Sequence, residues 1–261
     1  MQDSWQSGDA YERFMGRWSR VVAREFLGWL SPQPGLRWLD VGCGSGALSA
    51  AVVETYEPSA LTAVDQSPGF VELAQRRLQG RATCKVGDAL TLPVADASVD
   101  VAVSGLVLNF IPNQSDALAE MQRVTAPGGT VAVYVWDYPG MMDFLTVFWD
   151  AVVALDPGAL HLHEAHRFPD CNAKSLRKLF ERAGFADVSV CAIDVATRFR
   201  DFDDYWQPFL GGQGPAPTYV QSLSEVDRGA LRDLVHRRVP IQTDGTIPMI
   251  ARAWAATGIV M

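Results

Sequence analysis

The chain has 261 residues, enough for one large domain or for a core domain with an elaborated cap. Hydrophobic residues make up 48% and charged residues 20%, a balance that excludes a disordered chain, a collagen and a coiled coil. With 22 Lys and Arg against 30 Asp and Glu the net charge is −8, and no basic run marks the footprint of a nucleic-acid binder.

Residues 10–30 place Phe14, Trp18, Val21, Val22, Phe26, Trp29 and Leu30 at helical spacing. This predicts one amphipathic helix, or two short ones interrupted at Gly16, broken at Ser31-Pro32-Gln33-Pro34-Gly35. From Leu36 the pattern becomes short apolar runs alternating with helical segments. The runs are Leu36–Val41, Ala60–Asp65, Ala82–Val86, Val99–Ser104 and Thr130–Trp136. Ser67 and Pro68 predict a capped helix start, with Gly80 closing that helix. Ser115 is the predicted cap of a segment carrying Leu118, Met121 and Val124, which ends at Pro127-Gly128-Gly129. Near-continuous apolar strands separated by helices predict a doubly wound α/β core with a parallel sheet.

Beyond that core, Asn172 is placed to cap a helix bearing Leu176, Leu179, Phe180 and Ala183, stopped by Gly184. Strands are predicted near Asp187–Phe199 and Thr246–Thr257, and a helix near Val226–Arg238. The stretch from Tyr205 through Pro208 to Gly214 is too apolar for a linker and reads as a substrate-covering insertion. No apolar stretch reaches 18 residues, so no membrane span is expected. Met1-Gln2-Asp3-Ser4 lacks the pattern of a secretory signal. Cys43, Cys84, Cys171 and Cys191 show no CxxC spacing and read as reduced thiols. The expected compartment is the cytoplasm.

The chemistry concentrates in Trp38-Leu39-Asp40-Val41-Gly42-Cys43-Gly44-Ser45-Gly46, at the end of the first core strand and leading into a helix. Glycines let the backbone turn sharply and approach a ligand closely, and the helix start offers free N–H groups. The plainer reading is a tight turn without a ligand. The spacing is G-x-G-x-G, whereas the dinucleotide fingerprint is G-x-G-x-x-G. Asp40 puts a carboxylate where a pyrophosphate would otherwise sit. Asp65, 19 residues after Gly46, can accept from both hydroxyls of a ribose. A ligand with a ribose, no phosphate and a positive charge suits this arrangement.

At this point the sequence resembles the class I S-adenosylmethionine-dependent methyltransferases, most closely the small-molecule branch of ubiquinone/menaquinone-type enzymes. The likeness is close over residues 36–136 and holds in outline over 172–258. It implies a Rossmann-like seven-stranded sheet whose last strand inserts antiparallel. It also implies one methyltransferase domain: an N-terminal helical lid (1–30), a cofactor core (36–136), cap segments (137–171 and 200–245) and the remaining sheet (172–199 and 246–258). By resemblance Asp40, Gly42, Gly44 and Gly46 serve the methionine moiety, with Asp65 and Gln66 at the ribose. Gly87, Asp88 and Ala89 match the adenine contact, and Ser104 lies beside the sulfonium. Tyr11 and Arg17 are the candidates for reaching the cofactor's carboxylate from the lid. Asp88 could instead cap a turn, Asp40 could brace the loop, and Cys43 reads as packing.

On the acceptor side the candidates are Asn109, Trp136, Tyr138 and Trp206. Tyr11, Trp18, Tyr138, Phe144, Trp149, Trp206 and Phe209 are expected to include the lining of an aromatic chamber floored by Asn109; the alternative for each is an ordinary cap core. His161, His163 and His166 form H-x-H-x-x-H, a polar surface segment, a source of a general base (His163 the candidate) or, least of all, a metal site. No metal is expected. No N/D-P-P-Y/F signature follows the fourth strand, where Ser104-Gly105-Leu106-Val107-Leu108-Asn109-Phe110 stands; the resemblance then points to small acceptors rather than nucleic-acid bases. The reading is methyl transfer from S-adenosylmethionine to a small organic acceptor by in-line displacement. Its rivals are a NAD-dependent oxidoreductase, a non-catalytic S-adenosylmethionine-binding protein, and a transferase of the same fold moving another group.

Overall fold

Every residue from Trp38 to Val41 is buried, which only a strand covered on both faces requires. The computed structural model describes residues 15–211 and 214–261 and puts that strand near the middle of a seven-stranded sheet. The strands are β1 (Arg37–Val41), β2 (Ala60–Asp65), β3 (Thr83–Val86), β4 (Val99–Gly105), β5 (Thr125–Trp136), β6 (Ala186–Ala196) and β7 (Ile250–Ile259). Their order is β3-β2-β1-β4-β5-β7-β6. The pairs β1–β2, β1–β4, β2–β3 and β4–β5 are parallel. The last strand is antiparallel to β5. Gly128 N–H donates to the Val260 carbonyl at 2.8 Å and Asp137 N–H to that of Arg252 at 2.8 Å, so the numbers run in opposite directions.

The helices are α1 (Arg17–Leu30), α2 (Ala47–Tyr56), α3 (Pro68–Leu78), α4 (Gln114–Val124), α5 (Asp143–Leu155), α6 (Glu164–Arg167), α7 (Ala173–Arg182), α8 (Phe202–Trp206), α9 (Pro215–Ser222) and α10 (Glu225–Arg238). Ser67 caps α3 by accepting from Phe70 N–H, and Asn172 caps α7 by accepting from Ser175 N–H at 2.9 Å. Three expectations are corrected. Asn113, not Ser115, caps α4, its Oδ1 reaching Asp116 N–H. β5 begins at Thr125 and runs through Pro127-Gly128-Gly129, absorbed as an irregularity opposite Val99 and Val101. A side chain at Gly129 would meet Thr125 and the Asp100 carbonyl, so glycine lets the strand continue. β7 starts at Ile250 rather than Thr246, because Pro248 has no N–H for the ladder.

The chain forms two compact units. The first comprises residues 19–135, 170–193 and 253–261; the second comprises 15–18, 136–169, 194–211 and 214–252. The second unit has an aromatic core of its own. Phe148 and Phe209 stack 4.3 Å apart, and the Tyr205 hydroxyl donates to the Phe144 carbonyl at 2.7 Å. Phe144, Trp149, Trp206 and Phe209, expected among the chamber lining, are each no more than 3% exposed and pack against other rings of this unit.

Candidate functional site

In the first unit the loops following β1 to β4 all leave the carboxyl ends of neighbouring parallel strands, the edge at which open α/β sheets bind ligands. Gly42, Gly44 and Gly46 have φ of 72°, 52° and 81°, a conformation glycine adopts without steric cost. Their reasons differ. A Cβ on Gly42 would lie 2.6 Å from Val107, whereas one on Gly44 would meet nothing within 4 Å. Gly42 is thus required by packing, and Gly44 keeps an open surface. Gly42 and Cys43 N–H groups both donate to the Val64 carbonyl, tying the loop to β2.

Asp65 joins two loops. Its Oδ2 accepts from Gly44 N–H at 2.9 Å and its Oδ1 from Ser67 N–H at 2.8 Å. Burial pushes its carboxyl up, and those two N–H donors pull it partly back. Each oxygen keeps lone-pair capacity for a further donor. Asp40 is 1% exposed; its Oδ2 accepts from the Ser49 hydroxyl at 2.6 Å and its Oδ1 has no partner. Burial, opposed by Ser49 and reinforced by the charge of Asp65, pushes its carboxyl to about 7. Sequence reasoning missed Ser49; its one signal is a hydroxyl in the first turn of the helix behind the glycines.

After β3, Gly87 N–H donates to the Asp65 carbonyl at 3.0 Å, and Asp88 Oδ1 accepts from Leu90 N–H at 2.9 Å, bracing a turn. Gln66 is exposed and Ala89 half-buried. After β4, the Ser104 hydroxyl is buried without a partner, as are both amide atoms of Asn109. A buried polar atom left unpaired costs about 1–3 kcal/mol, so such atoms grouped at one sheet edge mark a place for a ligand. Asp40, Ser104 and Asn109 form such a group. The structure therefore brings Asp40, the glycines, Asp65, Gln66, Gly87, Asp88, Ala89, Ser104 and Asn109 to one sheet edge. Its acceptors fit a ribose, whose hydroxyls donate to Asp65, and a cation, which the unpaired carboxylate oxygen of Asp40 would meet.

The other candidates lie in the second unit. Arg17 Nη1 reaches both oxygens of Asp204 at 3.2 Å. Trp136 ends β5 and is buried, Tyr138 packs on Phe168 at 5.3 Å, and Trp206 stacks on Phe202. Tyr11 lies outside the described residues. His163 is buried against Trp149 and caps α6, its Nδ1 accepting from Ala165 N–H at 3.1 Å. The proton must then sit on Nε2, 3.9 Å from Asp150, and burial lowers the imidazole below its ordinary range. In that state neither nitrogen has a lone pair to take a proton from an acceptor. His161 meets the Gly158 carbonyl at 2.8 Å. Among the described residues no three His, Cys, Asp or Glu side chains are grouped to hold a metal ion.

Residues 39–133 match the methyltransferase domain family. Over 112 residues the chain is 38% identical to a malonyl-[acyl-carrier protein] O-methyltransferase of Serratia marcescens, covering 43% of each. It is 29% identical over 189 residues to a demethylmenaquinone methyltransferase of Staphylococcus aureus, covering 66% of this chain and 76% of that one. The chain thus spans less than half the length of the first relative and about three quarters of the second. Phosphoethanolamine N-methyltransferase 2 of Haemonchus contortus, solved with S-adenosyl-L-methionine, shares the fold: TM-score 0.60, 17% identity, covering 97% of this chain and 57% of that one. Domain match, relatives and sheet order agree on what the chain is similar to: the class I S-adenosylmethionine-dependent methyltransferases.

Proposed function

We propose that the protein transfers the methyl group of S-adenosylmethionine to a small organic acceptor. The observation that carries this is Asp65, a buried carboxylate fixed by one N–H from each of two loops and aimed by them as a bidentate acceptor. Asp65 holds the ribose hydroxyls, with Gln66 beside it, and Gly44 lets the cofactor lie against bare backbone. Gly87, Asp88 and Ala89 form the adenine side. Asp40 and Ser104 face the amino-acid and sulfonium end, where the unpaired Oδ1 of Asp40 favours positive charge. When bound, the cofactor supplies an electrophilic methyl on a positively charged sulfur. Asn109 offers the acceptor both a donor and an acceptor atom, each buried and unpaired. Trp136, Tyr138 and Trp206 stay assigned to the acceptor side on sequence grounds.

No general base is assigned, because the lone pair of His163 is taken up by its helix cap. Catalysis then rests on holding an already nucleophilic atom in line and excluding water. Two features separate this from nicotinamide chemistry: the third glycine comes one place early, and Asp40 stands where a pyrophosphate would be repelled. Thermal unfolding tests the reading. S-adenosylhomocysteine at 100 times its dissociation constant stabilises by about 2.7 kcal/mol. A shift with NAD and none with S-adenosylhomocysteine refutes it.

A further inference from the structure

A loop of alternating glycines has wide conformational freedom, so a single shape must be imposed on it from outside. The Val64 carbonyl takes Gly42 and Cys43 N–H, and Asp65 takes Gly44 N–H. The next residue, Ser45, is held through its side chain. It is only 5% exposed, and its hydroxyl accepts from Arg77 Nη1 at 3.0 Å. Arg77 lies in the last turn of α3, 32 positions further along the chain. That helix is fixed to the loop at three levels, all within the first unit. Asp65 pins its start, with Oδ1 accepting from Ser67 N–H while Oδ2 accepts from Gly44 N–H. Its middle lies against Gly46, where a Cβ would come 3.3 Å from Ala74, and Cys43 is packed with Ala74 and Leu78. Arg77 closes the circuit at its end. Arg76, its neighbour on α3, is committed elsewhere: it is 60% exposed and reaches Glu72 of its own helix at 2.5 Å.

We propose that Arg77 is a positioning residue for S-adenosylmethionine, acting through Ser45. Its charged donor holds the second half of the glycine loop in the shape that leaves Gly44 bare toward the cofactor. The identity of the ligand rests on the methyltransferase reading; the tie between Arg77 and Ser45 does not. Hydrogen bonds from charged groups are among the strong ones, so losing this one lets the loop leave its binding shape. A binding shape populated only a tenth of the time weakens apparent affinity about tenfold.

The test uses the full chain, with S-adenosylhomocysteine affinity read by calorimetry and stability by urea unfolding. Arg77→Met keeps the aliphatic stem and removes the donors, and Ser45→Ala removes the acceptor. Each should weaken S-adenosylhomocysteine about tenfold. The double variant should lose no more than either alone, because both substitutions break the same bond. Arg77→Lys keeps a charged donor and should recover part of the affinity. Arg76→Met removes the same charge one residue away and should stay within twofold of the wild type. Affinity within twofold of the wild type in Arg77→Met overturns the proposal even where its stability falls, since a merely structural arginine gives that pattern. Arg76→Met as damaging as Arg77→Met overturns it too, as do losses that add in the double variant. If the wild type binds no S-adenosylhomocysteine, the methyltransferase reading falls and takes the cofactor role of Arg77 with it; non-additive losses in urea unfolding would then leave only the tie.

Discussion

Asp40 makes the stability of the protein depend on pH in a way that can be worked out in advance. Its carboxyl moves from an ordinary 3.8 to about 7 because it is buried and its Oδ1 is unpaired. A group raised in the folded state contributes its full stability below the unfolded value and loses it as pH rises toward the folded one. The interval is about three pH units, each worth 1.36 kcal/mol, so ionised Asp40 costs the fold about 4 kcal/mol above pH 7. Between pH 5.5 and pH 8 the loss is about 2 kcal/mol, since about half has already occurred at the lower pH. Asp40→Asn removes the titration and leaves Ser49 an oxygen to donate to. Its own unpaired NH2 adds a cost, but the same one at every pH. Urea unfolding of both proteins at pH 5.5 and pH 8 should therefore show the difference shifting by about 2 kcal/mol in favour of the variant at the higher pH. A difference that stays constant between the two pH values refutes the argument. S-adenosylhomocysteine, bringing positive charge to Asp40, should bind more tightly at pH 8 than at pH 5.5 in the wild type, with a smaller change in the variant.

Asp65→Asn turns one of its two oxygens into a donor facing a loop N–H, so S-adenosylhomocysteine affinity should fall by about 1.5–3 kcal/mol in calorimetry. Gly44→Val should abolish S-adenosylhomocysteine binding in the same assay while the chain still folds, its cost confined to the positive φ. Gly42→Val should instead unfold the chain at lower urea, because its side chain collides with Val107. His163→Ala should cost about 1 kcal/mol through the lost cap of α6, and His163→Asn should restore most of it.

Local patterns in the sequence carried the first unit far. The alternation of apolar runs with helical segments reports burial on both faces, and burial of that kind is what a parallel sheet imposes on each strand separately. The caps at Ser67 and Asn172 are legible for the same reason: each works within a few residues of itself. The start of β7 at Ile250 was legible too, had Pro248 been weighed as a missing donor. What stayed hidden depends on residues far apart in the chain. Arg17 and Asp204 are 187 positions apart, and no local spacing announces their pairing. The aromatic residues of the second unit read equally well as chamber or core, because composition gives a ring's identity and not its neighbours; packing placed Phe148 on Phe209. His163 has the chemistry of a base in any sequence. Only the chain's turn into α6, which brings Ala165 N–H onto Nδ1, decided that its lone pair serves the backbone.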